Sequence, residues 1–214
     1  MTDRLPDAYF DRLYAESADP WALQMRWYER RKYAITLALL PLPRYKHAFE
    51  PGCSIGVLTE HLANRCDLVT ATDVAAAALD ATHRRLVRAG CRHSVALLRA
   101  SVDQPWPSKG CDLVVLSELC YYLTPSVLRA VMDREVPLLA CGATVLAAHW
   151  RHPVAEYPMT GDHANDVIGA TAGLHHLGGY RDADIAIEVF QTGTPISVAA
   201  RTAVPGAERT PATD

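Results

Sequence analysis

The chain has 214 residues, of which 50% are hydrophobic and 21% are charged, and its formal net charge at pH 7 is −3. This length and apolar content suit one folded domain and do not fit a disordered chain. No basic excess attracts nucleic acid or an anionic membrane, so neither is expected as a partner. Pro41 and Pro43 interrupt the longest apolar run, and the N-terminus carries charges where a signal peptide needs apolar residues. We therefore expect a cytoplasmic protein.

The cysteines and histidines give no sign of a metal centre. The six cysteines are scattered without a C-x-x-C pair, so reduced and mostly buried thiols are expected. The nine histidines include no H-E-x-x-H pattern and no cluster with zinc-ligand spacing. No metal is therefore expected.

Residues 6–40 are predicted to be helical. Trp27, Arg31, Ile35 and Leu39 recur at helical spacing and share one face of this predicted segment. Pro41 ends it, because proline lacks the amide hydrogen that a helix interior uses.

Strand-like and helix-like runs alternate beyond this point. The predicted strands are KHAFE, DLVTATD, SVALLRA, CDLVVLSE and ATVLAAHW. Helices are predicted at IGVLTEHLANR, at AAAALDATHRRLVRA before the left-handed cap Gly90, and from Pro125 toward Leu139 after the N-cap Thr124. This alternation predicts a mostly parallel sheet wrapped by helices, with ligands bound beyond the carboxyl ends of the strands.

The pattern changes after Trp150. RHPVAEYPMTGDHAND is polar and interrupted by proline and glycine, which predicts a long loop of the kind that often carries function. A helix from about Asn165 to Leu174 is predicted next. DADIAIEVF and ISVAAR are then predicted as two strands joined by the turn QTGTP, and AVPGAERTPATD as a disordered tail.

The segment AFEPGCSIG, after the first predicted strand, is the strongest local signal. No Lys-Ser or Lys-Thr pair follows its second glycine, so it is not a P-loop. Ser54 stands where a dinucleotide fingerprint needs glycine, and its side chain would crowd a pyrophosphate. The remaining pattern, with Glu50, Gly52 and Gly56, resembles the first motif of class I S-adenosylmethionine-dependent methyltransferases. A glycine in such a loop permits close approach of a ligand to the backbone.

Asp73 ends the second predicted strand. Its separation in sequence from the glycine loop is close to that of the corresponding residue in dinucleotide enzymes. A carboxylate at this place accepts hydrogen bonds from both hydroxyls of a ribose. Asp73 therefore indicates a ribose-bearing cofactor, and a helix-capping role is compatible with the same position.

Longer segments resemble one branch of these methyltransferases. DPW (Asp19–Trp21), WYERRKYAITLALLP (Trp27–Pro41), AFEPGCSIGVLTEHLA, DLVVLSELCYYL and HWR (His149–Arg151) are similar to segments of the nodulation protein S family, across roughly residues 8–200. The resemblance implies a Rossmann-like class I methyltransferase fold, with a mostly parallel seven-stranded sheet, an antiparallel C-terminal strand, helices on both faces and an N-terminal helical lid. The implied division is a lid at 1–42, a methyltransferase domain at 43–202 and a tail at 203–214.

The resemblance also implies S-adenosylmethionine as cofactor and S-adenosylhomocysteine as product. The predicted cofactor-binding residues are Trp21, Tyr28, Arg31, Glu50, Gly52, Cys53, Ser54, Gly56, Asp73, Val74, Ser101, Val102 and Ser117. In this scheme Glu50 holds the cofactor ammonium and Arg31 pairs with the cofactor carboxylate. Trp21 and Tyr28 face the sulfonium or the adenine. Ser101 stands where a carboxylate for the adenine amine is usual.

Known family members methylate the nitrogen of a deacetylated amino sugar, which implies a small-molecule amine as acceptor. An ammonium must lose its proton before it attacks, and the predicted bases are Glu118 and His149, because both follow strands that open on the site. The predicted substrate-binding residues are Tyr121, Tyr122, Trp150, Arg151, Asp162 and His163.

Three other functions stay open at this point. O-methylation of a hydroxyl is one, although no aspartate pair for a metal is evident. A nicotinamide-dependent oxidoreductase is another, against which Ser54 and the missing Tyr-x-x-x-Lys pair argue. A non-catalytic cofactor-binding module is the third. A monomer and a homodimer are both compatible with the sequence.

Overall fold

Seven strands form one sheet in the computed structural model, which describes residues 3–207. They are β1 (Tyr45–Pro51), β2 (Cys66–Asp73), β3 (Val95–Arg99), β4 (Leu113–Ser117), β5 (Thr144–Trp150), β6 (Leu174–Arg181) and β7 (Ile185–Thr192). The strand order is β3-β2-β1-β4-β5-β7-β6, and β7 pairs antiparallel with both of its neighbours. The expected mostly parallel sheet with an antiparallel C-terminal strand is thus confirmed.

Helices cover both faces of this sheet. They are α1 (Asp7–Glu16), α2 (Trp27–Ala38), α3 (Val57–Ala63), α4 (Ala76–Arg88), α5 (Pro125–Glu135), α6 (Gly161–Gly169) and the short α7 (Val198–Arg201). In β4, Val114 and Leu116 pack in the core with α5 and α6, whereas Leu113 and Val115 enter the core with α3 and α4. Successive side chains of a strand point to opposite faces, so a strand buried on both sides needs an unbroken apolar run.

The strand order reverses between β1 and β4, which are neighbours in the sheet. The chain builds outward from β1 to β3 and then returns to add β4 on the other side. Loops at the carboxyl ends of β1 and β4 therefore diverge and leave a crevice, the usual ligand site of such sheets. The glycine loop follows β1 here, and Ser117 with Glu118 follows β4.

The predicted helical stretch 6–40 is two helices, because residues 17–26 leave the helix. The Asp19 carboxylate accepts the backbone N–H groups of Leu23 and Gln24, at 2.9 and 3.2 Å, and closes a turn there. Ala22 within this turn has a left-handed φ of 53°. A side chain that bonds nearby backbone favours such a turn over a continuous helix.

In the C-terminal third, one predicted helix has different bounds and one predicted strand is wrong. The helix expected at 165–174 is α6, which begins at Gly161 because the Thr160 hydroxyl caps it by accepting the His163 N–H. The segment after it is the edge strand β6. ISVAAR is not a strand, since its last four residues form α7 behind the N-cap Ser197. The part of the predicted tail from residue 208 onward lies outside the described residues.

All six cysteines are free thiols, and five of them are buried, as the sequence predicts. Burial raises the pKa of Cys66 to about 12 and that of Cys111 to about 11. Cys141 is the exposed one and lies in the turn before β5. Within residues 3–207, no helix has the length and apolarity needed to cross a bilayer, and no group of three or more His, Cys, Asp or Glu is placed to hold a metal.

Candidate functional site

A cavity of about 570 Å³ opens at the carboxyl ends of β1, β2 and β4, beneath α1 and α2. Its volume is within the range of roughly 300–1,000 Å³ that small-molecule sites have. Of the predicted site residues, the cavity is lined by Trp21, Tyr28, Glu50, Gly52, Cys53, Ser54, Asp73, Val74, Ser101, Val102, Ser117, Glu118, Tyr121, Tyr122 and Trp150. Residues predicted from separate stretches of the sequence therefore meet in one place.

The two glycines of the loop after β1 serve different purposes. Gly52 lines the cavity with a φ of +72°, and a Cβ at this position would lie 2.9 Å from the Leu119 side chain. Gly56 also has a left-handed φ, but its missing Cβ makes room for Thr82 of α4, since a Cβ would lie 2.6 Å from Cγ2 of that residue. Gly56 is not among the residues that line the cavity, so its predicted contact with cofactor is corrected to a helix-packing role.

Glu50 presents an unpartnered carboxylate oxygen at the cavity. The residue is 3% exposed, and its Oε2 atom makes no hydrogen bond of normal geometry within the described part of the chain, although the nearby Thr59 hydroxyl lowers the pKa of the carboxyl group. Burial raises the pKa of this carboxyl group to about 8. A buried acceptor without a donor is unfavourable, so a ligand that brings a cationic donor to this oxygen is well suited to the site.

Asp73 is fixed at the end of β2 by backbone donors. Its Oδ2 accepts the Ser54 N–H and its Oδ1 accepts the Ala75 N–H, both at 2.9 Å. Burial nevertheless raises the pKa of Asp73 to about 6. Because each carboxylate oxygen has two lone pairs, the two oxygens retain capacity for a diol such as a ribose. The predicted helix-capping contact and capacity for a ribose thus coexist at one residue.

Arg31 lies outside the cavity, which corrects its predicted role. Its guanidinium donates to Asp182 Oδ2 at 2.8 Å and also bonds the Tyr180 hydroxyl. Because these partners occupy its guanidinium, Arg31 is not placed to hold a cofactor carboxylate. Arg26, the N-cap residue of α2, does line the cavity.

Glu118 follows β4 in a left-handed conformation, with a φ of 54°, which a residue with a side chain adopts only under constraint. Its Oε2 accepts the Tyr121 hydroxyl and the Trp150 N–H, both at 2.8 Å, and its Oε1 accepts Lys32 Nζ at 3.0 Å. Burial raises the pKa of Glu118. The Lys32 ammonium and these donors lower it by more, so the pKa lies below its usual value. The carboxylate is therefore ionised and engaged with its neighbours.

His149 is fully buried and does not line the cavity, which contradicts its predicted role as base. Its Nε2 accepts the Cys120 N–H at 3.2 Å, so the ring proton is on Nδ1, which lies 2.7 Å from Asn165 Oδ1. Burial lowers the pKa of the imidazole and keeps it neutral. His149 thus holds the turn that carries Tyr121 rather than meeting a ligand.

Aromatic rings form one wall of the cavity. Tyr121 stacks on Tyr157 with ring centroids 5.0 Å apart and planes at 12°, and Tyr122 packs edge-on against Tyr157 and Phe10. Trp150 meets the Tyr28 ring edge-on at 5.2 Å. Such a wall offers apolar surface and π faces to a ring-shaped acceptor.

The remaining predicted substrate residues lie elsewhere. Arg151 makes a two-pronged ion pair with Asp162 and bonds the Asp182 carbonyl, so both side chains are engaged outside the cavity. His163 lies exposed in the first turn of α6. The sequence predicted a long loop here, whereas Asp162 and His163 lie in α6 and Arg151 directly follows β5, all outside the cavity lining.

Several cavity residues were not predicted from the sequence, among them Tyr14, Glu29, Lys32 and Tyr157. The Tyr14 hydroxyl lies 2.6 Å from Ser54 Oγ and so ties α1 to the glycine loop. Glu29 and Lys32 are three residues apart on α2, a spacing that usually marks a pair on a solvated helix face. No signal in the sequence distinguishes this buried pair from an exposed one.

Known families and curated proteins match this chain. The model of the family described as nodulation protein S matches residues 10–170. Nodulation protein S of Rhizobium tropici is 35% identical over 106 residues, which are 49% of this chain and 43% of that protein. Nodulation protein S of Bradyrhizobium diazoefficiens is 28% identical over 143 residues, which are 64% of this chain and 66% of that protein. These matches span about half to two thirds of the curated relatives.

Solved structures share the fold over most of their length. A putative methyltransferase from Pseudomonas syringae has a TM-score of 0.67 and 32% identity, with 78% of this chain and 99% of that chain covered. The N-methyltransferase NodS from Bradyrhizobium japonicum WM9, in complex with S-adenosyl-L-homocysteine, has a TM-score of 0.76 and 23% identity, with 86% and 97% covered. The expected class I methyltransferase fold is thereby confirmed.

Proposed function

The chain belongs to the nodulation protein S family, and we propose that it is a methyltransferase that uses S-adenosylmethionine to methylate a small-molecule amine. The observation that carries this proposal is the unpartnered Glu50 oxygen in the same cavity as Asp73. Glu50 and Asp73 lie on neighbouring strands. One carboxylate suits the ammonium of that cofactor, and the other suits its ribose hydroxyls.

The residues that would hold the cofactor follow from these contacts. Glu50 would take the cofactor ammonium, and Asp73 would accept its ribose hydroxyls. Ser101 and Val102, after β3, line the adenine end of the cavity in this arrangement. We further propose that residues 1–42 act as a lid, because α1 and α2 carry Tyr14, Tyr28 and other lining residues across the opening.

The N-terminal segment fastens this lid. Arg4 pairs with Leu123 in a β-bridge, and its guanidinium donates to Asp103 at 3.0 Å and to Asp7 at 2.6 Å. The lid is thereby joined to the loops after β3 and β4, the strands next to the cofactor end of the cavity. Closure of this kind excludes water and raises the strength of electrostatic contacts inside.

When bound, the cofactor supplies a methyl group activated by a positive sulfur. The chain then has to orient the acceptor, because positioning alone contributes much of the rate in such a displacement. It also has to leave the acceptor nitrogen unprotonated, since an ammonium has no free electron pair. The ring wall of Tyr121, Tyr122 and Tyr157 is suited to stacking on a sugar-like ring. The carboxylates of α2 and of the β4 loop make this end of the cavity acidic, which suits an amine. We therefore propose an amino sugar or a related amine as the acceptor.

Calorimetry and a methyl-transfer screen test this function. The protein should bind S-adenosylhomocysteine and show no heat with NAD or NADP in parallel titrations. The loaded protein should then methylate glucosamine, its short oligomers or simple primary amines such as benzylamine in preference to glucose oligomers and benzyl alcohol. Binding of a nicotinamide cofactor instead, or transfer only to the hydroxyl compounds, would contradict the proposal.

A further inference from the structure

An ionic cluster of the buried Glu29 and Lys32 and the half-buried Glu118 lies where α2 meets the loop after β4, and all three residues line the cavity. Lys32 Nζ lies 2.7 Å from Glu29 Oε2 and 3.0 Å from Glu118 Oε1, and Lys32 is 2% exposed. Two carboxylates face one ammonium, so one negative charge is left without a buried partner. Burial of an uncompensated charge is strongly unfavourable, which makes this corner of the cavity receptive to a cation.

The two carboxylates differ in how well they are bonded. Glu118 is engaged by Lys32, by the Tyr121 hydroxyl and by the Trp150 N–H. Glu29 is 6% exposed, and its Oε2 pairs with the Lys32 ammonium at 2.7 Å. Glu29 is therefore bonded by one group where Glu118 is bonded by three. Because each carboxylate oxygen has two lone pairs, Glu29 retains acceptor capacity beside the ion pair.

An unpartnered hydroxyl stands beside it. The Tyr28 hydroxyl is buried, lines the same cavity and has no hydrogen bond within the described residues. The Tyr28 ring also packs on Trp150, at the aromatic side of the cavity. Adjacent residues of α2 therefore offer one carboxylate with acceptor capacity and one free hydroxyl, as recognition of a polar group on an acceptor requires.

We propose that Glu29, and not Glu118, is the catalytic base that receives the proton of the acceptor amine. The inference rests on the proposed function, since it requires an amine acceptor. It also assigns a positioning role to Glu118, whose bonds to Tyr121 and Trp150 hold the aromatic wall. Lys32 keeps the two carboxylates together and ties α2 to the β4 loop.

In the proposed reaction, the proton passes from the acceptor ammonium to Glu29. The acceptor enters as an ammonium, one N–H bond breaks, and its electron pair stays on nitrogen while an O–H bond forms on Glu29. The freed pair then forms the new N–C bond to the transferred methyl group, and the pair of the breaking C–S bond goes to sulfur. The product leaves as a methylated ammonium, and Glu29 returns its proton to water.

Other charged groups near Glu29 do not supply the missing compensation. Apart from Lys32 and Glu118, the charged group that faces it is Arg26, which is exposed to solvent. Burial raises the pKa of Glu29, and the Lys32 contact lowers it again, with a net rise. A proton acceptor in this setting is more basic than an ordinary surface glutamate, as general-base catalysis near neutral pH requires.

The test compares Glu29→Gln, Glu118→Gln and the matched control Glu16→Gln, an exposed residue of α1. Each variant is assayed with the amine that the wild type accepts in the screen of glucosamine oligomers and benzylamine. Glu29→Gln should lower kcat by about a hundredfold or more at neutral pH, with S-adenosylhomocysteine affinity unchanged by calorimetry. Its defect should shrink as the pH rises, because the free amine becomes abundant without a base. Glu16→Gln should match the wild type.

A binding measurement adds a readout that does not depend on turnover. Calorimetry of the S-adenosylhomocysteine-loaded protein should show that the wild type prefers the accepted amine to its alcohol analogue. Glu29→Gln should lose that preference, whereas Glu16→Gln should keep it. If Glu29→Gln does not fold, Glu29→Asp, which retains a carboxylate on a shorter stem, should show a smaller loss of kcat with the same relief at high pH.

The possible failures are distinguishable. A wild type that methylates no amine overturns the proposed function, and this inference falls with it. A wild type that methylates an amine while Glu29→Gln retains its kcat and its amine preference overturns the inference alone. A defect in Glu29→Gln or Glu29→Asp that is equal at every pH would also overturn it, because a structural role would not be relieved by the free amine.

Discussion

Glu50→Gln isolates the charge of Glu50, because the substitution removes the carboxylate and keeps the size of the side chain. In the free protein, burial raises the pKa of Glu50 from its ordinary 4.5 to about 8. Between these values the unfolded chain ionises while the folded protein keeps its proton. Each pH unit in that interval therefore lowers the free energy of unfolding by about 1.4 kcal/mol.

Near neutral pH, the free energy of unfolding of the wild type should therefore be about 3 kcal/mol lower than that of Glu50→Gln. Below the ordinary pKa both proteins carry a neutral side chain there and should be equally stable. Cofactor binding should change in the opposite sense, because the ammonium loses a charged partner worth about 1.5–3 kcal/mol. The Kd for S-adenosylhomocysteine should therefore rise roughly tenfold to a hundredfold.

Urea unfolding across this pH range measures the first effect, and calorimetry measures the second. Glu156→Gln, in an exposed loop, is the matched control and should change neither quantity. An identical pH dependence of stability in wild type and Glu50→Gln would refute the buried, protonated state of Glu50. A stabilised variant with unchanged affinity for S-adenosylhomocysteine would refute the ammonium contact while the burial argument stands.

Three further predictions concern other residues of the site. Asp73→Asn should weaken S-adenosylhomocysteine binding by about tenfold or more in calorimetry, since an amide accepts fewer hydrogen bonds from a diol; unchanged affinity would contradict the ribose assignment. Lys32→Met should lower the free energy of unfolding by about 3–5 kcal/mol in urea, because it leaves the buried Glu29 carboxylate without its ammonium partner and removes one partner of Glu118; Lys109→Met, at an exposed position, should not. His149→Ala should lower the free energy of unfolding by about 2–4 kcal/mol and leave the pH profile of kcat unchanged; loss of the acidic limb of that profile would restore His149 as base.

The strands of the parallel region could be predicted from the sequence because both of their faces are buried. A short apolar run with polar flanks, such as that of β4, fits few structures other than a buried strand. β6 was not predicted because it is an edge strand whose two adjacent exposed histidines, His175 and His176, and two adjacent glycines break any apolar alternation. Its identity depends on pairing with β7, which is a tertiary contact that composition does not reveal.

The strand-end residues show a similar limit. His149 and Trp150 are consecutive in β5, so their side chains point to opposite faces, and only Trp150 reaches the cavity. The sequence places both at the correct edge of the sheet, but one step of register decides which of them meets a ligand.

Helix α2 shows why the N-terminal helices were the hardest part to predict. Its apolar spacing suggests one face, yet Trp27 on that face is 73% exposed, and the buried residues are Glu29, Lys32, Tyr33 and Thr36. A helix that turns charged residues inward has a weak apolar period, so the pattern does not indicate which side is covered. Arg31 was assigned to the cofactor for the same reason.

The distribution of thiols makes the native sequence suited to labelling experiments. Cys141 lies before β5, at the amino ends of the parallel strands and thus opposite the cavity, so a maleimide dye placed there would leave the site untouched. Cys53 lies in the glycine loop, and burial holds its pKa well above the ordinary value, so it should react only when that loop opens. The alkylation rate of Cys53, followed by mass spectrometry, would then give the frequency of loop opening, and its slowing by S-adenosylhomocysteine would measure how far the ligand holds the loop closed.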